Sequence, residues 1–173
     1  MNPTAGKSMS PDEYFMQQAI DQARQAFEKN EIPVGAVAVY ERQVIGRGHN
    51  SKETTRDPTA HAEILALQEA ARARGGWRLV DVTLYCTMEP CSMCAGAMVQ
   101  ARLPRLVYAV DDPQAGAAGS VVDLLQHPKL NHRVQVVRGV LQSQVEVMLA
   151  DFFRGLREGT IPRYSDTWRR NGR

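Results

Sequence analysis

The chain has 173 residues, 43% of them hydrophobic, and a formal net charge of +2 at neutral pH. This length is enough for one hydrophobic core, so we predict a single domain over residues 1–173, with loose ends at 1–9 and about 159–173. The small charge does not by itself indicate a nucleic-acid-binding protein, and no run of about 18 apolar residues could cross a membrane. Three cysteines do not suggest a disulfide framework. We therefore expect a soluble, cytoplasmic protein with reduced thiols.

The first helix is predicted from its capping residues. Ser10 and Glu13 have the spacing of a capping box, with a proline at the first helical position between them, and the apolar stripe that follows ends near Asn30. After Pro33 the pattern changes to two short β-rich runs, VGAVAVY and QVIGRG, separated only by residues 41–42. These runs predict a β-hairpin.

A second helix is predicted after Pro58. The run THAEILALQEAARAR has helical spacing, with Ile64, Leu65 and Leu67 on its apolar side, and it ends before Gly75.

Strands and helices then alternate to the end of the chain. VDVTLYCT and RLVYAV read as strands on either side of the helix CSMCAGAMVQAR, and QSQVEVMLADFFRGLREG reads as a long final helix. The stretch between RLVYAV and the last strand, VQVV, is long enough for a parallel crossover, with VVDLLQ at residues 121–126 as the expected connecting helix. The order of elements predicts an α/β fold with a mixed sheet covered by helices on both faces, and a site at the strand C-terminal ends.

The motif PCSMC raises the main functional question. Cys91 and Cys94 lie three residues apart at the start of a helix, directly after a strand, so their side chains project from one face. The helix N-terminus favours thiolates, which suits metal binding and redox chemistry equally. A thiol-disulfide couple, half of a structural zinc site and two ligands of a catalytic zinc all remain compatible with this pair.

The motif HAE favours the catalytic metal site. If its helix starts at the same sheet edge, His61 adds a nitrogen to the two sulfurs, and three protein ligands with an open fourth position are typical of catalytic zinc. No other histidine has a ligand-type spacing, and Cys86 reads as a buried apolar thiol. Glu63 could act as a general acid/base over the open position. The competing carboxylate, Glu89, reads as a loop residue.

A family resemblance rests on several motifs together. HAE and PCSMC, read with IPVGAVAVY, GRGHN, RDPTAHAEI, DDPQAGAAGS and LNH, resemble the bacterial tRNA-specific adenosine deaminases, a branch of the zinc-dependent deaminase superfamily. The similarity runs from about Tyr14 to Arg157. It implies the three-layer α/β/α cytidine-deaminase-like fold with a mixed five-stranded sheet.

The resemblance also implies a reaction. The family converts the wobble adenosine of an arginine tRNA anticodon to inosine, as a homodimer with one zinc ion per chain. By motif, His61, Cys91 and Cys94 correspond to the zinc ligands and Glu63 to the proton shuttle, with zinc-bound hydroxide attacking C6 of the flipped adenine.

Residues that bind the substrate are implied by the same resemblance. Asn50, which on local grounds alone would be a turn residue, corresponds to a residue that hydrogen-bonds the base. Contacts to the anticodon stem-loop are expected from Asp112, Asn131, Phe153 and Arg154, and we expect Phe152 to be more buried than Phe153. The alternatives are a zinc-dependent deaminase of a free base or nucleoside, a CxxC thiol-disulfide oxidoreductase, and a zinc-stabilised RNA-binding module without catalysis.

Overall fold

The computed structural model describes residues 8–164, in which a five-stranded sheet has the order β2-β1-β3-β4-β5. The first strand pairs antiparallel with its neighbours on both sides, whereas the last three strands run parallel. The predicted mixed sheet, hairpin and parallel crossover are thus confirmed. The strands are β1 Gly35–Tyr40, β2 Gln43–His49, β3 Thr83–Met88, β4 Arg105–Val110 and β5 Gln135–Arg138.

Helices cover both faces of the sheet. One apolar cluster joins α3 and α4 to the sheet, and a second cluster joins α1 and α5 to the opposite face. The three-layer α/β/α arrangement is therefore confirmed. The helices are α1 Pro11–Glu28, α2 Lys52–Thr55, α3 Ala62–Arg74, α4 Ser92–Gln100 and α5 Gln142–Glu158. None of the helices within residues 8–164 is long and apolar enough to cross a bilayer.

The start of α1 has the predicted capping box. The Glu13 backbone N–H donates to the Ser10 hydroxyl over 3.2 Å, and the Ser10 N–H donates to the Glu13 carboxylate over 2.7 Å. Two backbone donors that the helix leaves unpaired are thereby satisfied. The helix ends at Glu28, slightly before the predicted Asn30.

Helix α3 packs on the sheet through alanines, and the predicted Ile64 and Leu65 stripe is only half-buried. Its buried side is formed by Ala62, Glu63, Ala66, Leu67 and Ala70. The reason is close approach: a Cβ on Gly48 of β2 would collide with the Ala62 carbonyl oxygen and come within 2.8 Å of the Ala66 nitrogen. At this separation only small side chains fit between helix and sheet.

The connecting helix predicted at residues 121–126 is absent, so this prediction was wrong. Val121 and Val122 are exposed while Leu125 is fully buried, and the Asp123 carboxylate accepts the Gln126 N–H in a turn. The backbone N–H groups of Val121 and Val122 donate to the Gly116 carbonyl, and that of Leu124 donates to the Ala117 carbonyl, so these groups are paired with the preceding loop and not within a helix. The crossover from β4 to β5 is therefore an ordered loop held by side-chain contacts.

The end of the described chain is packed against the body of the protein. Ile161 is buried next to Gly155, and the Tyr164 hydroxyl donates to the Lys29 carbonyl over 2.8 Å. Residues 159–164 belong to the predicted loose C-terminal end, yet they make these contacts. The remainder of the two predicted loose ends, residues 1–7 and 165–173, lies outside the described residues.

Candidate metal centre and adjoining cavity

Three side chains that can bind a metal meet at the N-termini of α3 and α4. His61 is the N-cap of α3, Cys91 is the N-cap of α4, and Cys94 lies in the first turn of α4. The His61 Nδ1 atom lies 3.6 Å from each cysteine sulfur, and the three ligand atoms lie within 4.8 Å of one another. The predicted grouping at one sheet edge is thus present in the structure.

The end of β2 fixes the start of α3. Asn50 follows β2 directly, and its Oδ1 atom accepts the Ala62 N–H over 3.1 Å. Because Ala62 is the first helical residue, this bond ties the helix start, and with it His61, to the sheet. On the other side, α4 begins four residues after β3 ends at Met88, which brings both cysteines to the same edge.

The donor set and its surroundings fit a zinc ion. One imidazole nitrogen and two thiolate sulfurs are ligands that zinc prefers. Glu63 is 3% exposed, and its Oε2 atom is the only buried side-chain nitrogen or oxygen without a hydrogen-bond partner in the part of the chain that the structure describes. A buried polar atom without a partner destabilises the folded protein, and a reactive or ligand-binding role is one reason for such an atom to be present.

The titrating groups of the site influence one another strongly. A hydrogen bond from the Cys94 thiol lowers the pKa of Cys91 to about 3, and the same bond raises the pKa of Cys94. The hydrogen bond to Cys91 raises the pKa of His61, and burial raises the pKa of Glu63. A bound cation would displace the protons of the ligand groups, so metal binding would release protons.

Cys86 is a buried structural residue, as predicted. It is 0% exposed within the cluster beneath α3 and α4, and burial raises the pKa of its thiol. Cys86 is not part of the group that can hold a metal.

A cavity of about 480 Å³ lies on the other side of Asn50, and neither Glu63 nor the three residues of the metal group line it. Asn50 lines the cavity and also bonds Ala62, so the cavity begins beside the helix start that carries His61. Phe153, which is 39% exposed against 1% for Phe152, lines the cavity as well, and the predicted burial order of this pair is confirmed. Charged side chains of both signs line its wall: the cations Lys52, Arg157 and Arg163, and the carboxylates Glu31 and Glu53.

The other predicted substrate contacts lie outside this cavity. Arg154 is exposed and pairs with Asp151 over 2.6 Å. The Asp112 Oδ1 atom accepts two backbone N–H groups of the turn that follows it. Asn131 accepts a hydrogen bond from the guanidinium of Arg102, a residue just past the end of α4, and it is not part of the group that can hold a metal.

Two buried carboxylates near the site were not predicted to have a role. Glu31 accepts the Thr54 N–H and hydroxyl over 2.7 and 2.8 Å, which fixes α2 at the edge of the cavity. Glu89 is 2% exposed, and although burial would raise its pKa, hydrogen bonds from Ser120 and from backbone N–H groups hold that pKa below its usual value. From the sequence, Glu89 reads only as a competing carboxylate and a loop residue, and no motif marks Glu31.

Comparison with known proteins agrees with this geometry. The model of the MafB19-like deaminase family matches residues 9–157. The tRNA-specific adenosine deaminase of Bacillus subtilis (strain 168) is 47% identical over 150 residues, which cover 87% of this chain and 93% of the relative. The protein of the same name from Aquifex aeolicus (strain VF5) is 43% identical over 149 residues, covering 86% and 98%.

A solved structure supports the same assignment. It comes from biochemical and structural studies of A-to-I editing by tRNA:A34 deaminases at the wobble position of transfer RNA. It is 41% identical, has a TM-score of 0.76, and the match covers 79% of this chain and 99% of that chain. The chain belongs to the MafB19-like deaminase family and, within it, to the tRNA-specific adenosine deaminases.

Proposed function

We propose that this protein deaminates adenosine to inosine at the wobble position of a tRNA anticodon, that of an arginine tRNA. The observation that carries the proposal is the grouping of His61, Cys91 and Cys94 beside the unpartnered Oε2 of Glu63. The identity of 47% to a tRNA-specific adenosine deaminase supports the same substrate class. The net reaction consumes water and releases ammonia.

The proposed cofactor is one zinc ion per chain. His61 would bind through Nδ1, and Cys91 and Cys94 through their sulfur atoms, because these atoms face one another. When bound, zinc supplies Lewis-acid activation of water near neutral pH.

Glu63 is the proposed proton carrier. Its carboxylate is buried in the first turn of α3, close enough to His61 and Cys91 to interact with both electrostatically, and it is not one of the three grouped ligands. Glu63 would take one proton from the attacking water and deliver it to N1 of adenine, and would then carry the second proton from the new hydroxyl at C6 to the amine, which leaves as ammonia. Burial raises the pKa of Glu63, which favours holding a proton during this transfer.

The proposed substrate is an unpaired anticodon loop. Bases in such a loop can be splayed out and stacked on apolar or aromatic side chains, a role that the half-exposed Phe153 in the cavity wall could fill. With Oδ1 bonded to Ala62, Asn50 would use its amide NH₂ toward the base. Asp112, Asn131 and Arg154 stay predictions as RNA contacts. A cytoplasmic homodimer also belongs to the proposal and rests on the family resemblance.

The test is nucleoside mass spectrometry of an arginine anticodon stem-loop RNA after incubation with the purified, zinc-loaded protein. We expect inosine at the wobble position and none in a matched RNA that has guanosine there. Free adenosine, cytidine and guanine are assayed in parallel. Deamination of a free base or nucleoside with unchanged RNA would reject the tRNA substrate while keeping a deaminase.

A further inference from the structure

The loop that follows β4 is organised around one buried carboxylate. The Glu89 Oε2 atom accepts the Asp112 N–H over 2.9 Å and the Ser120 hydroxyl. Its Oε1 atom accepts the Ala118 N–H over 3.0 Å and the Ser120 N–H over 3.1 Å. One side chain thus holds both ends of the segment 112–120.

Only an ionised carboxylate matches this set of donors. Four donors converge on the two oxygens of Glu89, and a carboxylate is the side chain that accepts on both oxygens without donating. A glutamine of the same shape would turn an NH₂ group toward two of these donors. Glu89 is 2% exposed, so water has little access to replace the lost bonds.

The loop is seated on the turn that carries a proposed metal ligand. Gly116 and Cys91 form an isolated β-bridge, and the Ala117 N–H donates to the Pro90 carbonyl over 2.8 Å. A Cβ added to Gly116 would collide with the Glu89 carboxylate, so loop and carboxylate are in close contact. The loop is therefore an outer wall of the metal centre.

Two further bonds hold the loop in the same position. The Arg138 guanidinium of β5 donates to the Ala118 carbonyl over 2.9 Å. The Tyr108 hydroxyl of β4 donates to the Asp111 carboxylate over 2.8 Å. The first bond adds to the hold of Glu89 on the loop backbone, and the second anchors the residue that precedes the loop.

We propose that Glu89 is a positioning residue that fixes loop 112–120 as the substrate-facing wall of the metal centre and thereby sets affinity for the RNA. The proposal rests on the proposed function, because it assigns the loop a role in binding the anticodon stem-loop. Glu89 touches loop backbone and not reacting atoms. Its loss should therefore weaken substrate binding far more than it slows the chemical step.

The test compares Glu89→Gln with Glu69→Gln. Glu69 of α3 is a matched control because its carboxylate also accepts a backbone N–H, that of Arg47 on β2 over 2.6 Å, and none of its partners belongs to the loop. On the anticodon stem-loop we expect KM of Glu89→Gln to rise about 10- to 100-fold, as for the loss of charged hydrogen bonds, while kcat stays within about threefold. Zinc per chain should be unchanged, and Glu69→Gln should match wild type in both constants.

Hydrogen exchange measures loop positioning without any turnover. In Glu89→Gln, the backbone amides of residues 112–120 should exchange at least tenfold faster than in wild type. In Glu69→Gln, the same amides should exchange at the wild-type rate. Ser120→Ala removes one of the four donors and should give a smaller change in the same direction, which keeps the test usable if Glu89→Gln does not fold.

The outcomes separate this inference from the proposed function. Unchanged exchange in the loop, or a lower melting temperature with unchanged KM, overturns the positioning role. A collapse of kcat at constant KM also overturns it, because Glu89 would then act in the chemistry. If wild type forms no inosine, the proposed function fails and the substrate-facing role fails with it.

Discussion

Glu63 and Glu89 are carboxylates of nearly equal burial with opposite surroundings. Glu63 is 3% exposed and has an oxygen without a hydrogen-bond partner, whereas Glu89 is 2% exposed and accepts four hydrogen bonds. Burial alone therefore does not identify the reactive group. An unsatisfied buried oxygen raises the energy of the folded protein, and it is retained where a reacting group can use it.

The two residues are also placed alike in the sequence. Glu63 lies two residues after His61, and Glu89 lies two residues before Cys91, so each is equally close to a proposed metal ligand. What separates them is the loop 112–120, which comes from a distant part of the chain and satisfies only Glu89. The difference between the two sites is thus created by tertiary structure.

The different roles of Glu63 and Glu89 are tested most directly by replacing one carboxylate at a time. Glu63→Gln should lower kcat roughly 10²- to 10⁴-fold, the range for a lost general acid/base, while zinc content and RNA affinity stay near wild type. The measurement is single-turnover inosine formation together with metal analysis. Glu89→Gln is the control and should keep kcat within about threefold. Near-normal turnover in Glu63→Gln would end the assignment of the proton carrier.

The proposed metal ligands near the two carboxylates give the second prediction. His61→Ala should reduce bound zinc at least about tenfold, because two thiolates are left to hold the ion. Metal is measured by mass spectrometry after dialysis against a weak chelator. Cys86→Ala is the control, since Cys86 is buried outside the group, and it should retain one zinc per chain. Stoichiometric zinc in His61→Ala would require a different ligand set.

The packing of α3 against β2 positions Glu63, and Gly48→Ala should disturb this packing. The added Cβ would collide with the Ala62 carbonyl, next to Glu63, so we expect a loss of about 2–4 kcal/mol in the free energy of unfolding. Denaturant titration gives the value. Gly76→Ala is the control, because no atom lies within 4 Å of its added Cβ, and it should change stability by less than about 0.5 kcal/mol. Equal stability of the two variants would contradict the tight packing.

A third carboxylate, Asp12, can be compared with Glu63 and Glu89, because its hydrogen-bond donors come from a cationic side chain. Two hydrogen bonds from Arg105, of 2.7 and 3.0 Å, hold the pKa of Asp12 below its usual value. Ionised Asp12 therefore stabilises the fold fully above about pH 4, and this contribution is lost as the pH falls through the lowered pKa. The stability difference between wild type and Asp12→Asn should be about 1 kcal/mol at pH 7 and shrink below pH 4. A difference that does not vary with pH would contradict this account.

Local signals in the sequence predict a large part of this molecule. The capping box of α1, the hairpin and the alternating strands rest on short-range patterns, and the structure has all of them. The grouping of His61 with Cys91 and Cys94 follows from helices that begin at one sheet edge, so it too could be predicted.

The remaining features depend on contacts between distant segments. The loop that replaces the predicted helix at 121–126 directly follows a segment whose backbone is held by Glu89. Glu89 itself lies about thirty residues before that segment. Likewise α3 buries alanines because Gly48 lies against it, and hydropathy alone favours the larger Ile64 and Leu65. Neither effect can be predicted from the sequence of a single helix or strand.

The division of the ligand set between two helices has a consequence for folding. His61 belongs to α3, and Cys91 lies 30 residues later at the start of α4, so an ion bound to both would cross-link the chain much as a disulfide does. Such an ion binds the folded state in preference to the unfolded one, and a free concentration 1,000 times Kd would add about 4 kcal/mol of stability. The melting temperature should therefore depend on free zinc, and chelation should release the two helices from each other.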